Sequence, residues 1–530
     1  MPEQIGYPEA ERNQLLRRVD WRFLLADPQP KRVVCFARGA MVEALGLVSD
    51  EVLEVGQCAR ARRTEGSLGG PGDMAHEASF DLAVVANPSP AELRAAWTAL
   101  RPGGALYGEW NRLPATRTRV TRELSQAGFT APACYWPTGA PEHAAAGAWL
   151  PLAAPGALHY YARSRSAVKG TLRRARLQVQ GLALQAAARA GMAMPLCAVA
   201  YKPPVGGEHV ESLGELPAQA HQLLLTGGLR SINKPVRLLF ADGEAEPRLA
   251  VKMARVPESL PALANEAAIL RAVHDRHRGE LAGVPRVIAF DGNGGGLCET
   301  ALAGAPLWTQ LSRGNFAALA AKATAWQVTL AGDGMPRPRD TWWEQLAGCQ
   351  LGWFGAAFET AVDGNLLQQA ADALQRLPDL PLVCEQRDFS PWNVLIKGDD
   401  LIVLDWESAE LNGLPALDLI YFLTYLALFV EGVQVHGVVD AEQARRVYRL
   451  TRDPSSELGS VVQGCLANYA GRLGLPLSVL HPLRLLAWMS YARHEYQTTW
   501  QAYGTTPSVG ALRQSMFLHL WEEELVGGGA

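Results

Sequence analysis

PLVCEQRDFSPWNVLIKGDDLIVLDWESAE, residues 381–410, interrupts a pattern that is otherwise helical in period from about residue 315 onward. Val394–Ile396 and Leu401–Leu404 are short apolar runs joined by Lys397-Gly398-Asp399-Asp400, which predicts a β-hairpin. A hairpin returns its two ends to one place. Asp388 and Asn393 in the entering loop and Asp405 and Glu407 at the exit are therefore expected to converge. Two carboxylates and an amide brought together suit a divalent cation and phosphate.

Asp-x-x-x-x-Asn, a hairpin, then Asp-Trp-Glu resembles the catalytic and metal-binding segments of the aminoglycoside phosphotransferase and choline kinase family, relatives of the protein kinases. The resemblance implies that Asp388, with Arg387 beside it in the same loop, is catalytic, accepting the proton of an acceptor hydroxyl. It further implies that Asn393 and Asp405 hold magnesium, with Glu407 assisting through a water. Where the family usually has His two residues before the Asp, this chain has Gln386, whose amide can replace some of that group's hydrogen bonds.

Upstream, Leu249, Val251 and Met253 alternate onto one face of the expected strand 248–256, leaving Ala250 and Lys252 on the other. The helix expected over 258–275 carries a stripe of Leu263, Ala267 and Leu270 with Glu266 at its edge, and a carboxylate facing a core needs a partner, for which Lys252 is the natural candidate. By the same resemblance, Ala250 leaves room for adenine, Lys252 reaches the nucleotide phosphates and pairs with Glu266, and Cys298-Glu299-Thr300-Ala301 is the hinge whose backbone meets adenine. Gly227-Gly228 stands where a phosphate-covering loop is expected, although a plain turn reads equally well; Ser231 and Asn233 are its polar residues. Asp418, opening an apolar helix, is expected to brace the catalytic loop. Trp342, Trp343, Trp353, Trp488, His494 and Glu495 are the aromatic and polar candidates for an acceptor pocket, though tryptophans at helical spacing are more often core.

The first 165 residues read differently. Short apolar runs at 31–37, 51–55, 80–87 and 101–110, with a helix at 91–100, predict a parallel sheet covered by helices. FDLAVVAN, the helix and LRPGG resemble class I S-adenosylmethionine-dependent methyltransferases. The loop after the first strand, Cys35 to Met41, holds a single glycine, and no acidic residue ends the second strand cleanly, so the resemblance implies a degenerate domain in which S-adenosylmethionine binding is doubtful. The expected organisation is α/β plus α+β: a Rossmann-like domain over 1–165, a helical connector over 166–215 containing Val168–Ala190 and KPPVGGE (202–208), a small β-rich kinase-like lobe over 216–305, and a helical lobe over 306–530.

Composition bounds the alternatives. The 530 residues are 48% apolar and 19% charged, as in folded globular chains. Forty-nine basic against fifty-three acidic residues, with no long basic run, argue against nucleic acid as the main partner. The eight cysteines lie at least 23 residues apart, which excludes a CxxC zinc or redox pair and reads as single buried thiols. The N-terminus lacks the apolar core of a secretory signal, and the apolar stretches at 177–201 and 419–430 are broken or too short to span a bilayer, so a cytoplasmic location is expected. Two main functions stay open: an ATP- and magnesium-dependent kinase of a small hydroxylated molecule, and a scaffold in which both folds have lost their chemistry. A bifunctional methyltransferase-kinase is a third.

Overall fold

Twelve strands form one sheet in the order β11-β12-β10-β9-β8-β6-β5-β7-β4-β3-β1-β2. They are β1 (Arg32–Cys35), β2 (Glu51–Glu54), β3 (Phe80–Ala86), β4 (Leu100–Trp110), β5 (Thr130–Pro137), β6 (Ala148–Pro151), β7 (Leu196–Tyr201), β8 (His221–Leu225), β9 (Val236–Phe240), β10 (Leu249–Lys252), β11 (Val287–Asp291) and β12 (Gly296–Thr300). The computed structural model describes residues 8–55, 78–112, 115–139, 147–166, 195–204, 220–228, 230–292, 296–332, 334–433, 440–500 and 505–527. The chain divides into two units: Met1–Ala264 with Val287–Ala303, which carries this sheet, and Asn265–Arg286 with Gly304–Ala530.

In the first unit, β1, β2, β3 and β4 are mutually parallel, as the alternation of apolar runs and helix predicts. Val33 and Cys35 enter one core and Val34 the other, so β1 is covered on both faces and reads as an unbroken apolar run. The crossover helix Pro90–Ala99 starts on a capping box, Ser89 accepting from the Glu92 amide while Glu92 accepts from the Ser89 amide. Beyond β4 every pairing is antiparallel. Pro132 and Pro137 argue locally against β5 as an interior strand, and the structure accommodates that stretch with a register shift between Thr130 and Ala133.

The pairing of Ala148 with Leu225 and Trp149 with Leu224 joins β6 to β8, so strands from the first 165 residues and from 216–305 share one hydrogen-bonded ladder that crosses both expected boundaries. Val168–Ala190 lies outside the described residues, as does the second half of KPPVGGE. On β10 the expected alternation is present: Val251 and Met253 enter one core and Ala250 another.

The second unit is mainly helical. Its β-hairpin pairs Val394–Lys397 with Asp400–Val403, Lys397 opposite Asp400 across the turn. Gly283, at φ +77°, lies against this hairpin so closely that a Cβ there would fall 1.7 Å from the Leu401 carbonyl oxygen; its own carbonyl accepts from the Val403 amide at 2.8 Å. Only glycine fits that approach. Among the described residues no helix is long and apolar enough to cross a membrane. Of the seven described cysteines, six are buried thiols as expected and Cys349 is exposed.

Candidate active site

Val383–Glu385 leads into the loop that carries Asp388, and Phe389 anchors that loop in the core. The Phe389 ring stacks against Trp326 at 5.5 Å and Phe422 at 4.5 Å between centroids, so the polar residues on either side of it are placed by an apolar plug. Nothing in the sequence pattern singled Phe389 out. From below, Asp418 in the first turn of the Leu417–Val430 helix accepts the Gln386 amide at 2.6 Å and the Arg387 amide at 3.0 Å, the bracing role expected of it. Burial first, then the nearby Glu385 charge, push Asp418 up to about 7.

Arg387 and Asp405 both adopt left-handed backbone, at φ +63° and +64°, which costs a residue with a Cβ about 1–3 kcal/mol each. Gln386 is the group that spans the two. It is fully buried, its Nε2 donates to the carbonyls of Leu404 and Asp405, and its Oε1 accepts the Asp388 amide at 2.8 Å. Both ends of the amide are thus spent on holding the loop to the hairpin exit. The departure from the family's His leaves these three backbone groups satisfied.

Asn393 Nδ2 donates to Asp388 Oδ2 at 2.7 Å and to the Asp388 carbonyl at 3.1 Å, so the Asp-x-x-x-x-Asn spacing closes into direct contact. With its nitrogen committed, the amide presents its oxygen as acceptor. Burial, then the charge of Asp405, push Asp388 up to about 7. That influence places Asp388 and Asp405 close enough to repel. The oxygen donors of Asn393 and Asp405 match magnesium, which takes one or two protein oxygens and completes its shell with phosphate and water. Among the described residues no cluster of three or more His, Cys, Asp or Glu forms a separate metal site.

The hairpin exit is fastened to the second half of the Leu260–Arg276 helix. Glu266, fully buried, accepts the Trp406 amide at 3.0 Å, and Asn265 Nδ2 donates to the carbonyls of Glu407 at 2.9 Å and Ala409 at 3.0 Å. Glu407 is held here through its backbone. In the sheet-bearing unit, Lys252 Nζ lies 3.1 Å from Glu299 Oε1 on β12, both side chains largely buried. Glu299 thus contributes a side-chain carboxylate in addition to the hinge backbone expected of it. The signal was available in the register, which pairs Ala250 with Glu299 and sets Lys252 diagonally across.

A cavity of about 700 Å³ opens beside the loop, with Arg387 and Asp418 in its wall. Of the six acceptor-pocket candidates it takes Trp342 and His494. Trp488 is core, its Nε1 donating to the Tyr448 hydroxyl at 2.9 Å; Trp353 packs edge-on against Tyr496; Trp343 lies under the Arg339 guanidinium; and Glu495 accepts from Ser515. The helical period showed that these residues share faces but not which face meets the cavity.

Residues 235–452 match the family model described as the phosphotransferase enzyme family, or APH. A comparison with curated protein sequences finds no match. Solved structures that resemble the chain include an amicoumacin kinase in complex with AMP-PNP and Ca2+ (15% identity, 59% of this chain and 90% of that one, TM-score 0.35). A glucosamine kinase has 15% identity over 59% of this chain and 93% of that one, TM-score 0.31. A choline/ethanolamine kinase family protein from Mesorhizobium loti has 14% identity over 60% and 93%, TM-score 0.28.

Proposed function

We propose that the protein is an ATP- and magnesium-dependent phosphotransferase that phosphorylates a hydroxyl of a small polar molecule. The observation that carries this reading is the Asp388–Asn393 contact, 2.7 Å long, beside an Asp405 whose left-handed backbone is held by Gln386. The family match over 235–452 supports it. In this reading Asp388 orients the acceptor hydroxyl and takes its proton, the Asn393 oxygen and Asp405 hold the cation, and Lys252, kept extended by Glu299, meets the nucleotide phosphates. Glu266 secures the turn that presents Asp405. Bound magnesium supplies charge neutralisation for the phosphoryl group in transfer.

The cavity wall points to the class of acceptor. Its charged groups are largely spent on the protein: Glu385 accepts from Arg387 Nε at 2.9 Å and the Leu414 amide at 2.6 Å, Asp418 is taken by two loop amides, and Arg493 reaches Gln350 at 3.4 Å. The side chains of Gln345, Ser408, Asn412, Ser490 and Gln497, also in the wall, make no hydrogen bond to the described residues. A polycation would need several carboxylates with unspent charge, whereas a neutral polyhydroxyl compound needs amides and hydroxyls such as these.

Calorimetric titration of the full-length protein with AMP-PNP, with and without magnesium, tests the reading: magnesium-dependent binding is expected, and its absence would move the protein to the scaffold class. Within the site, Gln386→Leu strands the Leu404 and Asp405 carbonyls and is expected to slow transfer about a hundredfold by misplacing Asp405. Gln386→His, read in the same steady-state assay, recovers most of it.

For the first 165 residues, the side chains above the carboxyl end of the parallel strands support the degenerate reading. Arg18 makes a two-pronged ion pair with Glu109, at 2.7 and 2.9 Å, and Trp21 stacks on Tyr107 at 3.7 Å. These groups fill with protein the edge where a doubly wound sheet holds its ligand.

A further inference from the structure

We infer that the chain segment Asp20–Leu25 is part of the nucleotide site, acting through the buried Asp20–Arg255 pair to position the connection between β8 and β9. This rests on the phosphotransferase reading, in which that connection covers the phosphates.

The sheet register sets the geometry. Leu225 pairs with Val236, and Val236 pairs with Lys252, so the β8–β9 connection leaves the sheet at the edge where Lys252 stands. Pro235, its last residue, accepts the Met253 amide at 3.0 Å. Within the connection Asn233 Oδ1 accepts the Arg230 amide at 2.9 Å, and the Asn233 amide returns to the Arg230 carbonyl at 3.1 Å. Gly228, at φ +82°, sits so close to the Asn233 side chain that a Cβ would lie 2.3 Å from it. This turn is tight, and Arg255 holds it from outside.

Arg255, three residues beyond Lys252, has a side chain 0% exposed, and Asp20 is 1% exposed. Its Nε and Nη2 each lie 2.8 Å from an Asp20 carboxylate oxygen, and its Nη1 donates to the Arg230 carbonyl at 2.8 Å. One guanidinium thus ties a segment near the start of the chain to the turn, 235 residues away from Asp20 along the chain. The same segment grips the strand ends twice more: Arg22 Nη2 donates to the Arg255 carbonyl at 2.8 Å, and Arg237 reaches the carbonyls of Phe23 and Leu25. Two charges sealed in the interior stabilise little by themselves, since desolvation offsets most of their attraction. What the fork geometry does supply is orientation: with two donors fixed on Asp20, the third can point only at Arg230.

Arg255→Lys separates this role from a merely structural one. Lysine keeps the charge opposite Asp20 but has no planar fork, so the bond to Arg230 is lost while the ion pair stays. In the full-length protein the melting temperature is expected to stay within about 3 °C of wild type, while magnesium AMP-PNP binds about tenfold more weakly. Hydrogen exchange at the amides of 230–235 is expected to rise. Asp20→Asn, which frees the fork, is expected to show the same affinity loss. Wild-type affinity in a stable Arg255→Lys protein would overturn the inference and leave the phosphotransferase reading standing, and so would affinity lost only in step with melting temperature. Failure of the wild type to bind the nucleotide would overturn both.

Discussion

Asp388→Asn is expected to reduce phosphoryl transfer by a factor of about 10²–10⁴, the usual worth of a positioned proton acceptor, while magnesium AMP-PNP affinity changes no more than about threefold. The substitution is nearly isosteric, and an amide oxygen at position 388 can still accept from Asn393 Nδ2, so the loop keeps its shape. What disappears is the carboxylate that takes the acceptor proton. The repulsion from Asp405 disappears with it, and that favours rather than opposes cation binding. Steady-state rates of ADP release with an acceptor, set beside calorimetric affinity for the nucleotide, check the separation. Equal loss of both would mean that Asp388 holds the nucleotide and that its assignment as proton acceptor is wrong.

Glu524→Gln is expected to destabilise the protein by about 3 kcal/mol or more at neutral pH, because it leaves buried cations without their counter-charge. Glu524, on the Met516–Gly527 helix and 0% exposed, accepts from the Tyr448 hydroxyl at 2.6 Å and lies 2.8 Å from His481, 3.3 Å from Arg452 and 3.8 Å from Arg484. Burial pushes its carboxyl up, but His481, Arg484 and Arg452 together hold it below the usual carboxylate range. A carboxyl whose folded pKa is depressed stabilises above its unfolded value of about 4.3 and loses that contribution as pH falls through the folded value. The gap in stability between wild type and Glu524→Gln should therefore be widest near pH 7 and shrink on acidification below about pH 4. Urea denaturation of both proteins across that range reads it directly, and a pH-independent gap would contradict the role assigned to the charge.

Glu524 also shows where reading the chain stops. It lies in an apolar helical run, LHLWEEELV, where a carboxylate looks like any solvated helix residue; its partners come from two other helices. Asp388, Asn393 and Asp405 were legible because their relation is local. A turn of known length sits between two apolar runs, and a hairpin brings its own ends together whatever surrounds it. The Ser89 capping box and the two-faced alternation of Leu249–Lys252 are legible for the same reason. The Lys252–Glu299 contact was only half legible, since it depends on which strand β10 takes as its neighbour.

The chain by itself determined the order of strands and helices, the hairpin, and the identity of the groups that can do phosphoryl chemistry, because each follows from periods and turns a few residues long. Tertiary structure alone decided that β6 pairs with β8 to make one sheet of twelve strands, that Phe389 plugs the loop into the core, that Gln386 does the work of bonding both the loop and the hairpin exit, and that Asp20 reaches Arg255. The physical reason is common to all four. Hydrophobic pattern says which face of an element must leave water, but the partner that covers it, and the polar atom that satisfies each buried donor, are chosen only when distant segments pack.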